Sequence, residues 1–139
     1  MRAIIGIFFL VVCGWAQAEW IQYAETENGP VYYDPKRIMS ISAEKVSVWK
    51  KFRIDDKALA EGILIDPSFK NYAFTVSKNI HDCKAQQSTV AAVHYYDNSG
   101  KSFLSIVFSP QEIEFHDVIP GSVGAMMTEI VCKKKPTPS

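Results

Sequence analysis

The sequence predicts an α+β fold, an antiparallel β-sheet with a C-terminal α-helix packed on it. Three observations predict it. Tyr72, Phe74, Val76 and Ile80 alternate with Thr75, Ser77, Asn79 and His81, the period of a strand. Two segments rich in Val, Ile, Phe and Tyr, 89–96 and 101–109, flank the turn-forming run Asp97-Asn98-Ser99-Gly100, which makes them a hairpin. Val123, Met126, Met127, Ile130 and Val131 recur at helical spacing near the C-terminus.

Before the domain comes a leader. Met1-Arg2 is followed by an apolar run from Ala3 to Cys13 and by Ala16-Gln17-Ala18. A basic start, an apolar centre and an Ala-x-Ala end form the pattern of a secretory signal peptide, with cleavage between Ala18 and Glu19. The run is shorter than the roughly 20 residues a membrane-spanning helix needs. Cys13 raises a lipoprotein reading, but Val12 is branched and bulky where lipoprotein processing takes a small residue. Lipid anchoring through Cys13 is therefore not expected. The divisions are a signal peptide at 1–18, one domain at 19–135 and a disordered tail at 136–139.

Within the domain, Trp20 to Ala24 and Val31 to Tyr33 flank Asn28-Gly29-Pro30, a hairpin signal, and Asp34-Pro35 breaks the second strand. Residues 45–54 form a third strand with Val46, Val48, Trp49 and Phe52. Asp55 can cap a short helix ending at Gly62, and Pro67 stops anything longer. Glu112 and Glu114 alternate with Ile113 and Phe115 as on a half-exposed strand. Ser122 is a fitting N-cap for the last helix, and Lys133 to Lys135 suit the negative end of its dipole. Thr128 falls off the apolar stripe.

Cys83 and Cys132 remain once the leader is removed. In an oxidising compartment they can form one bridge, closing a loop of about 50 residues and contributing about 4 kcal/mol. The other reading is a pair of buried free thiols. Cys83 shares the polar side of its strand, and Cys132 stands off the helix stripe. Either a bulge changes the parity or the bridge lies at the rim of the core.

Removal of Arg2 takes one from the 15 basic residues of a chain with 15 acidic ones. This near-neutral balance argues against nucleic acid as a partner, because phosphate binding needs a basic surface. Catalytic signatures are missing. The serines lie in no GxSxG or SxxK context, and there is no GxGxxG or GxxxxGK loop. His81, His94 and His116 have no second ligand type at metal spacing, so neither a metal nor a cofactor is expected. The sharper reading of His94, an axial haem ligand, stands against the plainer one of a partly buried or surface histidine. Trp49, Lys50, Lys51 and Arg53 join an aromatic to local positive charge and form the candidate binding patch.

Several short motifs occur together: Trp20-Ile21-x-Tyr23, Val31-Tyr32-Tyr33-Asp34, Val46-x-Val48-Trp49, Asp82-Cys83-Lys84, Tyr95-Tyr96, and Pro120-Gly121-Ser122-Val123-Gly124 leading to Val131-Cys132. In this order the chain resembles the surface-adhesin protein E family of Gram-negative bacteria over residues 20–132. The resemblance implies a C-terminal helix tied to the antiparallel sheet by a Cys83–Cys132 disulfide. It also implies a non-enzymatic role in binding host matrix proteins such as vitronectin and laminin, plasminogen, haem, or another envelope macromolecule, with the capacity to dimerise. The alternative is a periplasmic domain with a structural or small-ligand role. Localisation is thus exported, either periplasmic, at the cell surface or secreted.

Overall fold

The structure, a computed structural model, describes residues 19–133. The leader with Cys13 and Ala18, and the tail at 136–139, lie outside the described residues.

Chain order is β1 (Ile21–Thr26), β2 (Gly29–Tyr33), β3 (Met39–Ser40), β4 (Lys45–Phe52), α1 (Asp56–Ile65), β5 (Tyr72–Asp82), β6 (Gln87–Asp97), β7 (Ser102–Val107), β8 (His116–Asp117) and α2 (Val123–Lys133). The strands form one antiparallel sheet in the order β1-β2-β4-β5-β6-β7, with β3 added to β4 and β8 to β6. The predicted architecture is therefore present, including the disulfide between Cys83 and Cys132, whose Cα atoms stand 5.7 Å apart.

Local chemistry sets the turns. At the β1–β2 turn Gly29 takes φ +116°, a value that L side chains rarely adopt. Thr26 Oγ1 accepts from the Asn28 N–H. In the β6–β7 turn Asp97 Oδ1 accepts from the Ser99 N–H at 2.9 Å and the Lys101 N–H at 3.0 Å.

Asp55 does cap α1, accepting from the Ala58 N–H at 2.7 Å, but the helix runs past Gly62 to Ile65. Gly62 serves packing instead. A Cβ there would stand 3.0 Å from the Phe69 ring. The expected strand at Glu112 to Phe115 is absent. The chain turns at Pro110 to Glu112 and continues without regular structure to Phe115, and of this stretch only His116–Asp117 pairs with β6.

Both helices lie on the same side of the sheet. The central core joins Tyr33, Val46 and Val48 of the sheet to Met127 and Val131 of α2. The register places Val46 opposite His81 and Val48 opposite Asn79. The helix therefore covers the face of β5 that carries Thr75, Ser77, Asn79 and His81, the polar-looking one. Its apolar face, with Phe74, Val76 and Ile80, has no helix on it among the described residues. Tyr72 does not share that face as expected. A register shift between Tyr72 and Phe74 lets it pack with Phe69 and Tyr95 under α1.

This resolves the cysteine parity. Cys83 continues the row of His81 on the helix side, and β4–β5 pairing is unbroken from Lys45–Asp82 to Phe52–Thr75. No bulge is needed; the bridge lies at the rim, with both cysteines partly buried against the core. The buried face of α2 is also rotated from the predicted stripe. Met127, Thr128 and Val131 are buried, whereas Met126 is 44% exposed.

Candidate functional site

Strand alternation divides the candidate patch. Trp49 and Lys51 lie on the uncovered face of the sheet, opposite Lys78 and Val76 of β5. Lys50 lies on the helix face, opposite Ser77, where burial lowers its pKa. Arg53 stands beyond the end of β4, its guanidinium carbon 5.5 Å from the centre of the Tyr72 ring. The structure thus brings together Trp49 and Lys51 and sends Lys50 elsewhere.

The sequence reading missed what surrounds Lys51. Its ammonium lies 4.4 Å from the Phe74 ring centre and 6.0 Å from those of Trp20 and Tyr32. Cation–π attraction steers the charge toward the rings without neutralising it. Phe74 stacks on Tyr96 at 4.8 Å and 9°, and Trp49 meets His94 at 5.8 Å. Beneath them Val76 and Ala92 are buried, so the aromatic layer is itself the cover of the sheet on this side. The signal was available in the alternation of Phe74, Val76 and Lys78, but one strand's parity does not say which face a helix will take.

The histidines take three different places. His94 Nδ1 bonds Ser105 Oγ at 2.7 Å on the uncovered face, and His116 is exposed in β8. His81 is buried beneath α2. Thr128 Oγ1 donates its one proton to the Gly124 carbonyl, so it accepts from His81 Nδ1–H at 2.8 Å. His81 Nε2 then carries the lone pair and has no partner among the described residues. Burial first, and the Lys50 charge second, bring the His81 pKa from 6.5 down to about 4.

This has a consequence for acid stability. Between pH 6.5 and about 4 the unfolded chain binds a proton at His81 that the folded chain does not. The neutral ring's contribution is complete above the unfolded value and is lost as pH falls toward the folded one. The loss should be on the order of 3 kcal/mol. Urea denaturation at neutral pH and near pH 4 checks it. His81→Gln should flatten this part of the profile, and an NMR titration of the ring near pH 6.5 would contradict it.

Other groups flagged in the sequence do not converge into a catalytic set. Glu112 accepts from Ser109 Oγ at 2.8 Å, and with Glu114 and His116 it lines a shallow cleft beside Asn79 and Ser88. Among the described residues no group of three His, Cys, Asp or Glu is placed to hold a metal ion, and no helix is long and apolar enough to cross a membrane. An apolar cleft of about 320 Å³ lies between α1 and β7, lined in part by Ile54, Ala58, Ile65, Phe69, Leu104 and Ile106.

Comparison with known proteins adds a family. The family model described as surface-adhesin protein E matches residues 20–133. Crystal form II of Haemophilus influenzae protein E aligns with a TM-score of 0.56 at 17% identity, covering 83% of this chain and 87% of that one. The selenomethionine form of the same protein gives 0.54 at 17%, covering 82% and 85%. A further structure of it gives 0.55 at 18%, covering 83% and 84%. At these identities the likeness to the solved structures is one of fold. No curated protein sequence matches the chain.

Proposed function

The chain belongs to the surface-adhesin protein E family, and on that premise we propose that it is an exported, non-enzymatic domain that binds a host matrix protein or an envelope macromolecule. In this reading the leader is removed between Ala18 and Glu19, and the mature domain acts in the envelope or at the cell surface. The observation that carries it is the uncovered sheet face, where Trp49 and Lys51 stand among Trp20, Tyr32, Phe74 and Tyr96. A contiguous layer of half-buried aromatic side chains with no helix over it is a surface of the kind that binding sites use. Tryptophan and tyrosine beside a cation are the residue types that dominate binding energy in interfaces.

The test is surface plasmon resonance of the exported protein, its N-terminus sequenced as Glu19, against immobilised matrix proteins, plasminogen and envelope extracts. We expect at least one of the purified proteins to bind more tightly than about 100 μM, roughly 5.5 kcal/mol. Trp49→Ala with Lys51→Gln should weaken that binding at least tenfold. Arg53→Gln, away from this face, should leave it within about twofold. Binding that ignores Trp49 and Lys51 would remove the face from consideration.

A second reading has one observation in its favour. The cleft between α1 and β7 falls at the lower end of the size range of small-molecule sites. A periplasmic domain taking a small apolar ligand would use that cleft, and its binding would survive every substitution on the sheet face.

A further inference from the structure

We propose that the uncovered sheet face is a docking strip for an acidic polysaccharide, specifically a sulfated chain of an extracellular matrix. The inference rests on the binding role proposed above and names the chemistry of the partner.

Charge supplies the first argument. The chain as a whole has equal numbers of basic and acidic residues. On this face the pairing register sets Lys51, Lys78 and His94 among the aromatic side chains. Its carboxylates stand at the ends. Glu25 lies beside the β1–β2 turn, and Asp82 Oδ1 is occupied by the N–H groups of Lys84 and Ala85. Among the described residues the ion pairs engage Lys36, Arg37, Lys84 and Lys133, and neither lysine of the strip. The centre is therefore a local positive excess without an internal counter-ion, suited to an anionic occupant.

Shape supplies the second. Trp20 precedes β1, while Tyr32, Lys51, Phe74 and Tyr96 come from β2, β4, β5 and β6. Neighbouring strands stand about 4.8 Å apart, so the strip crosses roughly 20 Å of sheet. That length suits a polymer rather than a single sugar. Inside a sheet the main-chain N–H and C=O groups are consumed by the ladder, so an extended peptide finds no strand to pair with here. The clefts between α1 and β7 and beside Glu112 lie off this strip. The apolar C–H faces of sugar rings can rest on Trp49, Phe74 and Tyr96, while sulfates or carboxylates reach the ammonium groups between them.

The experiment measures binding of the exported protein to heparin, chondroitin sulfate, desulfated heparin, poly-glutamate and lipopolysaccharide at low and high salt. The expected result is binding to the sulfated matrix chains that weakens with salt and with desulfation. Lys51→Gln with Lys78→Gln should reduce the affinity at least tenfold at an unchanged Tm, and Trp49→Ala should reduce it similarly. Lys133→Gln, on the far side, should not. Equal or tighter binding of poly-glutamate would make the partner an acidic protein segment, and preference for lipopolysaccharide would place it in the bacterial envelope; either overturns the proposal. So does sulfated-chain binding that persists in the double lysine variant. If a matrix protein binds through Trp49 while no polysaccharide binds, this inference fails and the proposed binding role stands. If neither binds, both fail.

Discussion

Replacing Met127 by Asp is expected to destabilise the domain by at least about 4 kcal/mol and to lower Tm by roughly 15 °C or more. Met127 is fully buried, in a core shared with Tyr33, Val46, Val48 and Val131. The substitution removes its packing and sets a carboxylate among the apolar side chains of the core. A buried unpaired charge is more costly than the cavity alone. A domain of this size has only about 5–15 kcal/mol in hand. Met126→Asp is the control. That side chain is 44% exposed, so the cost should stay under about 1 kcal/mol. The predicted stripe put both methionines in the core and left Thr128 outside it. The structure exchanges Met126 and Thr128, since Met126 is exposed while Thr128 is only 3% exposed and holds His81 Nδ1. Thr128→Val should accordingly cost about 1–3 kcal/mol, because the His81 donor loses its acceptor in a buried site. Urea denaturation of the three variants decides the order. Equal midpoints for the two methionine variants would mean that α2 docks on another face.

The elements themselves were legible because each depends on local chemistry. Asp97 and Gly100 specify the β6–β7 turn, Asp55 specifies the start of α1, and the alternation from Phe74 to His81 specifies a strand. What sequence could not supply was the side of the sheet on which α2 lies. Hydrophobicity alone favours the Phe74, Val76 and Ile80 side. The helix takes the other, where the polar residues of that row find bonds, Thr75 with the Tyr72 hydroxyl, Asn79 with Ser77 and His81 Nδ1 with Thr128, and among these side chains only His81 Nε2 goes without a partner among the described residues. Polar groups satisfied in this way can be buried at little net cost. The same choice leaves the aromatic row facing outward, so one unreadable decision fixes both the core and the candidate site. Local sequence also hid the division of the basic cluster. Lys50 and Lys51 are neighbours in the chain and occupants of opposite faces in the sheet.

Cutting the Cys83–Cys132 bridge should destabilise the domain by about 2–5 kcal/mol, with α2 affected before the sheet. The bridge joins residues separated by 49 positions. Opening it returns to the unfolded chain the freedom that a closed loop of this size denies it. The folded state keeps Met127 and Val131 in the core. The sheet also keeps its ladders, so the loss need not be global at once. The 11 residues of α2 are too few for a stable isolated helix in water, and its docking then rests on that small core and the His81–Thr128 bond. In Cys83→Ser, hydrogen exchange should therefore accelerate in α2 while the central strands β4, β5 and β6 keep their protection at neutral pH. Acid should widen the difference, because protonation of His81 puts an unpaired charge beside Lys50 in the buried site beneath α2. Reduction of the native protein should reproduce both effects without a mutation. Unchanged exchange in α2 after reduction, together with an unchanged denaturation midpoint, would show that the bridge is not what holds the helix to the sheet.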